Sequence, residues 1–336
     1  MSRTLSALSA LYSRGLRCRH LAYDRGWFAS TAVPACVVSV GNIAWGGTGK
    51  TPIVQKLAKE LVSKYKVAVL SRGYRGGAEY FDPPLLVSHG SGPLVEAALA
   101  GDEAFMHALA LPNVEVWSSK YRVEAARLAI ARGAEVLILD DGMQHRKLKR
   151  DMEIITLDGG DHLLKQKLLP SGRLRDLPER LRCADVIIVH NAQTNFEERS
   201  QEIRKFSDAP LIATQMSPKA ESIEAIANRR VAMFCAIGRP QRFESTLRSL
   251  NTEIVDRLCV RDHSAFPKKK LTRFAENAKK KGAEMLVCTR KDFVKLPLNL
   301  GLFPVVLDAE VSIIDGHHAW EALVKQIAVK IQQQRE

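Results

Sequence analysis

The stretch that most constrains the fold runs over residues 37–52 and reads VVSVGNIAWGGTGKTP. A short β-branched apolar run ends at a cluster of glycines, and Gly-Lys-Thr then leads into an amphipathic helical pattern. A strand, a glycine-rich loop and a helix in this order form the setting of a phosphate-binding P-loop. The amide N–H groups of such a loop and the positive end of the helix dipole both favour polyphosphate. The stretch therefore predicts a nucleotide-binding α/β domain.

The loop itself supplies the predicted nucleotide contacts. Lys50 is predicted to reach the β- and γ-phosphates of ATP, and the Thr51 hydroxyl to be a ligand of Mg²⁺. Ala44 stands at the first glycine position of the pattern G-x-x-x-x-G-K-[ST], so the loop resembles the variant loops of MinD-like ATPases and dethiobiotin synthetase. A glycine turn with a chance lysine is the alternative, which the flanking strand and helix disfavour. The predicted ATP-binding residues are Gly46, Gly47, Thr48, Gly49, Lys50 and Thr51.

The chain is strongly basic. Its formal charge of +13 at pH 7 over 336 residues indicates an anionic partner: nucleic acid, an anionic membrane surface or a phosphorylated substrate. No basic run is interleaved with aromatic residues, so no nucleic-acid partner is predicted, and no feature indicates an obligate protein partner. No apolar run reaches the ~20 residues of a membrane-spanning helix, and no secretory segment follows Met1. We therefore expect the protein on the cytoplasmic side of a membrane.

Six cysteines are scattered along the chain, and no two of them form a C-x-x-C pair. This spacing predicts neither a zinc site nor a redox motif. We expect reduced and mostly buried thiols, as in cytosolic proteins.

The segment 1–30 is basic and carries an apolar stripe. Its leucines recur at helical spacing among several arginines, and Trp27 and Phe28 close it. Such a helix can lie in a membrane interface, with arginines near anionic head groups. It can also be an amphipathic helix that packs on its own domain, and the pattern alone favours this second interpretation.

Acidic residues stand where a metal ion could be bound. The apolar run 136–139 ends in Asp140 and Asp141, and a carboxylate at a buried strand end downstream of a P-loop can hold Mg²⁺. Asp102 and Glu103 open another helical pattern. Spacing alone predicts helix-capping residues there, with a catalytic base and a metal ligand as the alternative.

Two loops place glycine and arginine after predicted strands. Residues 71–77 lie where α/β sheets bind ligands, although an exposed glycine turn explains them equally well. The arginines of residues 168–176 are suited to bidentate phosphate binding or to a solvated face. Residues 289–292, Thr-Arg-Lys-Asp, come near a GTPase base-recognition motif but have the lysine misplaced, which favours ATP over GTP.

Several motifs together resemble those of one family. They are residues 39–52, Ser71-Arg72-Gly73-Tyr74, Gly101-Asp102-Glu103, residues 139–145 (LDDGMQH), residues 169–175 and Asp262-His263. In order and spacing they resemble the tetraacyldisaccharide 4′-kinase family, the lipid A 4′-kinases of Gram-negative-type bacteria, over nearly the whole chain.

The resemblance implies ATP- and Mg²⁺-dependent phosphorylation of the 4′-hydroxyl of a tetraacyl glucosamine disaccharide 1-phosphate. It implies a peripheral enzyme at the cytoplasmic face of the inner membrane, with Lys50 offsetting phosphate charge. Asp102 becomes the catalytic base, partnered by His263, in place of a capping role. The implied metal ligands are Thr51, Glu103, Asp140 and Asp141. The implied substrate contacts are Tyr74, Arg122, Gln144, His145 and Arg175.

The fold class predicted from alternating strands and helices is α/β. A mostly parallel, helix-covered sheet of the P-loop NTPase type is joined to a second, smaller α/β domain. The predicted parts are residues 1–30 as a membrane-contacting helix, 31–216 as the P-loop kinase domain and 217–336 as the C-terminal domain. Membrane contact is now the preferred role of the helix, because an acylated substrate does not readily leave the bilayer.

Departures from the family pattern and alternative functions remain. Residues 264–266, Ser-Ala-Phe, replace a second histidine and an aromatic residue, so no role is carried over to them. A MinD-like ATPase switch would need a second lysine early in the loop, where Ala44 and Trp45 stand. An ATP-dependent ligase of small metabolites would leave the basic amphipathic N-terminus unexplained.

Overall fold

The structure, a computed structural model, describes residues 2–260, 266–293, 296 and 302–335. Two units are distinguished: Met1–Gln215 with Val311–Glu336, and Met216–Glu310. The strands are β1 (Cys36–Gly41), β2 (Val67–Ser71), β3 (Leu85–Ser88), β4 (Glu115–Ser118), β5 (Val136–Asp140), β6 (Met152–Asp158), β7 (Val186–His190), β8 (Leu211–Pro218), β9 (Arg230–Cys235), β10 (Glu253–Cys259), β11 (Met285–Cys288), β12 (Pro304–Val306) and β13 (Ala309–Asp315). The helices are α1 (Ser2–Asp24), α2 (Lys50–Leu61), α3 (Ala97–Ala100), α4 (Asp102–Ala110), α5 (Arg122–Ala131), α6 (Phe196–Ile203), α7 (Ala220–Ile226), α8 (Pro240–Ser249), α9 (Lys268–Lys280), α10 (Arg290–Phe293) and α11 (His317–Arg335). Short 3₁₀ turns cover Leu163–Lys165 and Pro178–Cys183.

A nine-stranded sheet in the order β13-β8-β7-β6-β1-β5-β2-β4-β3 organises the first unit. β1 pairs in parallel with both β5 and β6, whereas β3 pairs antiparallel with β4. Every residue of β1, β5, β6 and β7 is buried. Continuous apolar runs are typical of parallel strands covered on both faces. The predicted fold class, a mostly parallel sheet covered by helices, is confirmed.

The register of the central strands brings two motifs together. Val40 of β1 lies opposite Asp140, the last residue of β5. Parallel strands end at the same edge of a sheet, so the glycine loop after β1 and the carboxylates after β5 lie side by side. α2 begins at Lys50, and its N-cap Gly49 has φ 81, a left-handed conformation that favours glycine.

The second unit has its own parallel sheet in the order β10-β9-β11-β12. Residues of β9 alternate between two cores, as period-2 side chains must. Phe234 packs in a cluster with Leu271 and Phe274 of α9, and Met233 packs in another with Phe243 and Leu247 of α8.

The C-terminal segment departs from the predicted domain division. Residues 217–336 were predicted to form one domain, but the second unit ends at Glu310, and α11 belongs to the first. α11 packs on β1, and its Trp320 Nε1 donates a hydrogen bond to Glu60 Oε2 at 2.7 Å. The buried stripe of α11 explains the difference, since it is covered by the first unit; its residues are Trp320, Leu323, Ile327 and Ile331.

α1 lies within the predicted basic segment and packs on the first unit through one face. Leu16 is buried, and Tyr12 Oη donates to the Arg175 carbonyl at 2.8 Å. His20 Nε2 lies 2.7 Å from Asp176 Oδ1. Across the described ranges of the chain, no helix combines the length and the apolarity needed to cross a membrane.

The cysteines differ from the prediction of mostly buried, scattered thiols. All six are free, and Cys18, Cys183 and Cys259 are exposed. The pairing of β9 with β10 sets Cys235 opposite Cys259, and their Sγ atoms are 3.7 Å apart. Sequence spacing alone does not reveal this neighbour, because it arises from strand register.

Candidate active site

Close packing at Gly49 and the hydrogen bonds of Thr48 fix the conformation of the glycine loop. A Cβ at Gly49 would lie 2.6 Å from the His190 ring, so no larger residue fits there. Thr48 Oγ1 accepts a hydrogen bond from Asn42 Nδ2 at 2.8 Å and lies 2.8 Å from Thr156 Oγ1. The Thr48 side chain therefore ties the loop to β6, and a phosphate contact from this residue would come from its main-chain N–H.

Residues 168–176 support the glycine loop, a role that the sequence analysis did not foresee. Arg173 Nη2 donates to the Trp45 carbonyl at 3.0 Å, and Trp45 N donates to the Arg173 carbonyl at 2.7 Å. Arg175 Nη1 donates to Asp141 Oδ2 at 2.8 Å, and its Nη2 contacts both Asp141 and Asn42. The two arginines thus fix the loop and its neighbouring carboxylate.

Two cations face the Asp141 carboxylate. Lys50 Nζ lies 3.5 Å from Asp141 Oδ1, and Arg175 forms an ion pair with the same group. Burial by itself would raise the pKa of Asp141, but Lys50 and Arg175 outweigh it and hold this pKa well below its usual range. Asp141 is therefore a carboxylate at neutral pH, and it holds the Lys50 ammonium at the start of α2.

Asp140 is fixed by two residues from other elements. His107 Nε2 of α4 lies 2.8 Å from Asp140 Oδ2, and Arg122 Nη2 donates to the Asp140 main-chain oxygen at 2.8 Å. The other carboxylate oxygen, Oδ1, is buried and has no hydrogen-bond partner among the described residues. A buried, unpartnered oxygen is costly unless a ligand completes it.

The start of α4 brings two more carboxylates to this edge. Asp102 is the first helical residue and Glu103 the second, while the N-cap is Gly101. Burial and the nearby Asp140 carboxylate raise the pKa of Glu103, and the Lys50 ammonium opposes them. Glu103, Asp140, Asp141 and Lys50 are therefore close enough to influence one another. Since Gly101 occupies the cap position, the capping role predicted from spacing does not fall to Asp102.

The predicted substrate residues occupy different environments. Tyr74 is exposed on the turn after β2, beside Arg75. Gln144 Nε2 donates to the Asn42 carbonyl at 2.9 Å. Burial and the Arg122 guanidinium, with further nearby cations, lower the pKa of His145 to about 3, so this imidazole is neutral at pH 7.

Arg122 is 3% exposed, and its guanidinium donates hydrogen bonds to main-chain oxygens. Its Nη1 donates to the Ser119 carbonyl at 2.7 Å, and its Nη2 to Asp140. Burial lowers the pKa of Arg122 to about 10, although the Asp140 carboxylate opposes this. Arg122 therefore joins the ends of β4 and β5 in this structure, and it holds the wall of the site in place.

His107 and His190 were not predicted from the sequence as site residues, and Arg173 was predicted only as one of the arginines suited to phosphate binding. His107 stands on the helical pattern that Asp102 opens, and a buried helix position near acidic strand ends was the available signal. The predicted partner of the base, His263, lies outside the described residues. Residues 289–292 have a structural role, because Thr289 Oγ1 donates to Asp292 Oδ2 at 2.7 Å.

The donor set at this edge fits a magnesium ion. Carboxylate and hydroxyl oxygens are the ligands that Mg²⁺ takes beside nucleotide phosphates, and Asp140 Oδ1 lacks a partner within the described part of the chain. His162, Glu198 and Glu202 form a separate cluster of possible metal ligands. Arg199 forms ion pairs with Glu198 at 2.5 Å and with Glu202 at 2.8 Å. The guanidinium of Arg199 therefore already balances the charge of these two carboxylates.

Comparison with known proteins gives a consistent result. The family model described as tetraacyldisaccharide-1-P 4′-kinase matches residues 1–328. A tetraacyldisaccharide 4′-kinase of Syntrophus aciditrophicus is 38% identical over 316 residues, covering 87% of this chain and 83% of the relative. One of Chlamydia pneumoniae is 37% identical over 286 residues, covering 81% and 75%. The solved structure of LpxK from Aquifex aeolicus in complex with ATP is similar with a TM-score of 0.77 and 28% identity, over 97% of this chain and 99% of that one.

Proposed function

The chain belongs to the tetraacyldisaccharide 4′-kinase family, and we propose that the residues gathered at the ends of β1 and β5 carry out its reaction. The protein is an ATP-dependent kinase of lipid A biosynthesis whose acceptor is the 4′-hydroxyl of a tetraacyl disaccharide 1-phosphate. Family membership disfavours the ATPase switch and the small-metabolite ligase. The observation that supports the site is the 3.5 Å ion pair between the P-loop lysine and Asp141, beside an Asp140 oxygen that has no hydrogen-bond partner among the described residues.

Lys50 neutralises charge on the transferring phosphoryl group in this proposal. Phosphoryl transfer needs alignment and charge neutralisation more than covalent help. Asp141 and Arg175 hold the ammonium and the loop in place, so little reorganisation is needed when ATP binds. The bond between the β,γ-bridging oxygen and the γ-phosphorus breaks, ADP leaves, and the sugar oxygen forms the new bond to phosphorus.

Thr51, Glu103, Asp140 and Asp141 are the residues that would hold magnesium. When bound, Mg²⁺ neutralises charge on the β- and γ-phosphates. Asp141 also pairs with Lys50 and Arg175, whereas Asp140 Oδ1 has no hydrogen-bond partner in the described part of the chain and would be free to hold the ion. Arg122 and His107 keep that oxygen in place.

Asp102 accepts the proton of the sugar hydroxyl in this proposal. An alcohol is a poor nucleophile, and a carboxylate within hydrogen-bond reach of it can take the proton as the oxygen attacks. Asp102 stands at the first position of α4, next to Glu103, whose pKa responds to Asp140 and Lys50. His263 remains the predicted partner of this base. Tyr74, Gln144, His145 and Arg175 remain the proposed surroundings of the disaccharide.

Label transfer tests this function directly. Purified protein, Mg²⁺, γ-labelled ATP and detergent-dispersed tetraacyl disaccharide 1-phosphate should give labelled lipid. Lys50→Ala should reduce the label by about a hundredfold to a thousandfold, as removal of a charge-stabilising donor does elsewhere. Lys59→Ala, on the exposed side of the same helix, should retain activity. ATP hydrolysis without labelled lipid, while a control enzyme of the family labels it, would overturn the assignment.

The exposed face of α1 is proposed to contact an anionic membrane surface. Leu5, Leu8 and Leu11 are 38%, 52% and 64% exposed, although the opposite face of α1 packs on the first unit. Exposed arginines flank this face, among them Arg14 and Arg17. Apolar burial and attraction to anionic lipids add in such helices. Because ATP is the phosphoryl donor, the proposed location is the cytoplasmic face of the inner membrane.

Vesicle flotation tests the membrane contact. Wild-type protein should float with vesicles of mixed anionic and zwitterionic lipids, and less so with zwitterionic vesicles or in high salt. A Leu8→Glu, Leu11→Glu double variant should lose most of this binding. The control carries Leu94→Glu and Val329→Glu, at two positions of the first unit outside α1 that are each 50% exposed. Equal flotation of the two double variants would exclude α1 as the contact.

A further inference from the structure

We propose that His107 is a positioning residue that fixes the Asp140 carboxylate so that its free oxygen faces the metal ion of the bound nucleotide. The inference rests on the proposed role of Asp140 as a metal ligand. His107 lies on α4, and the carboxylate that it contacts belongs to the last residue of β5.

The contact is short and fully enclosed. His107 is 0% exposed and Asp140 is 1% exposed, and His107 Nε2 lies 2.8 Å from Asp140 Oδ2. A carboxylate oxygen can only accept a hydrogen bond, so Nε2 carries the proton and donates it. The contact therefore places a proton on Nε2 and gives the direction of the bond.

The environment of the other ring nitrogen, Nδ1, indicates that packing alone does not explain why position 107 is a histidine. His107 Nδ1 is buried and has no hydrogen-bond partner among the described residues. Leaving a buried polar atom unpaired costs stability, and an apolar side chain at this position would avoid that cost. What the histidine provides, and an apolar residue does not, is the Nε2–H donor toward Asp140.

Orientation of the carboxylate is the consequence. Arg122 holds the Asp140 main-chain oxygen and His107 holds Oδ2, which leaves Oδ1 as the oxygen without a partner in the described structure. Ligating carboxylates are commonly hydrogen-bonded by residues behind them, and loss of such a partner lowers metal affinity by roughly 10- to 100-fold. His107 stands in that relation to Asp140.

The same contact links two parts of the site. His107 is five residues beyond Asp102 on α4, a separation of about 7.5 Å along a helix axis. The hydrogen bond therefore connects α4, including its first turn with Asp102 and Glu103, directly to the strand end that carries Asp140. His107 thus links the helix of the proposed base to the proposed metal ligand.

Metal binding measured without the lipid tests the proposal. Mn²⁺ is titrated into full-length protein with a non-hydrolysable ATP analogue and followed by electron paramagnetic resonance. His107→Leu, which removes the donor, should weaken Mn²⁺ binding by about 10- to 100-fold. His107→Gln, whose amide N–H can still donate, should recover most of the affinity. Ala108→Gly destabilises the same helix but keeps the His107–Asp140 pair, and it should bind Mn²⁺ like the wild type.

Three outcomes would overturn the proposal. The first is wild-type Mn²⁺ affinity in His107→Leu. The second is an equal loss in His107→Leu and Ala108→Gly, which would indicate a purely structural role. The third is unchanged affinity in Asp140→Ala, which would show that Asp140 is not a ligand. Since no lipid is present, failure of the kinase assignment would appear in label transfer and not in this measurement.

Discussion

The two units have similar architecture and differ at one edge. Each has parallel strands with helices on both faces, yet the residues that end the strands are of different kinds. In the first unit β5, β6 and β7 end in Asp140, Asp158 and His190, whereas in the second β9, β10 and β11 end in Cys235, Cys259 and Cys288. The comparison indicates that a parallel α/β sheet provides a position for chemistry at its carboxyl edge, while the residues that end its strands decide which chemistry that edge can support.

Each unit pairs an aspartate with two cations, but the two groups of charges lie in different places. At the edge of the first unit the Asp141 carboxylate pairs with Lys50 and Arg175, so these charged groups lie beside the loop that is proposed to bind phosphate. In the second unit Asp308 accepts from Arg290 Nε at 2.9 Å, and Lys219 Nζ lies 2.8 Å away. There the pairs join α10, the start of α7 and the segment after β12, and they stabilise the unit.

The largest effect is expected at the edge of the first unit. Asp102→Ala should reduce turnover by about 10²- to 10⁴-fold, because it removes the proposed base, and should leave ATP binding largely intact. Label transfer into lipid and equilibrium binding of a fluorescent ATP analogue measure the two properties. Asp208→Ala, an exposed carboxylate of the same unit, is the control. Near-normal turnover would remove Asp102 from the base role and weaken the contrast between the units.

A smaller effect, on stability, is expected in the second unit. Burial by itself would raise the pKa of Asp308, but hydrogen bonds from Arg290 and Lys219 lower it. Since the folded-state pKa lies below the unfolded value of about 3.9, the stabilisation is present above that pH and is lost as the pH falls through the folded pKa.

Asp308→Asn should therefore lower the free energy of unfolding by about 1 kcal/mol at pH 7, a value reduced for the exposure of Arg290. The difference from wild type should shrink toward pH 3, and kcat at pH 7 should not change. Urea unfolding at pH 7, 5 and 3 measures this dependence. A stability difference that grows on acidification would contradict the direction of the pKa shift.

The smallest effect is expected at the cysteine edge. Cys259 is exposed, so Cys259→Ser should change stability by less than about 0.5 kcal/mol. Kinase activity under reducing conditions should stay within about twofold of the wild type. A tenfold loss of activity would show that the Cys259 thiol at the end of β10 takes part in the reaction. That result would contradict the contrast drawn between the strand ends of the two units.

Much of the fold could be predicted because its signals are local. The strand, glycine loop and helix around Lys50 and the apolar run that ends in Asp140 each depend on a few consecutive residues. Short strands such as β3 and β4 were missed, since four residues carry little periodicity. α11 was assigned to the wrong unit, because its apolar stripe shows that it is buried but not which sheet covers it.

The site was predictable as a set of motifs and only partly as a set of contacts. Lys50, Asp140 and Asp141 were predicted from their positions after strands, and the structure brings them together at one edge. Arg175 was predicted as a substrate contact, and in the structure it pairs with Asp141 and Asn42. His107 was not predicted at all, although its Nε2 lies 2.8 Å from the Asp140 carboxylate.

The sequence by itself determined that a glycine loop with the pattern of a P-loop follows β1 and that carboxylates stand at the end of β5. Tertiary structure alone decided which side chains balance them: His107 reaches Asp140 across 33 residues, and Arg175 reaches Asp141 across 34. The physical reason is that local structure follows from neighbouring residues, whereas electrostatic balance depends on distance in space and on burial. Spacing along the chain carries neither quantity.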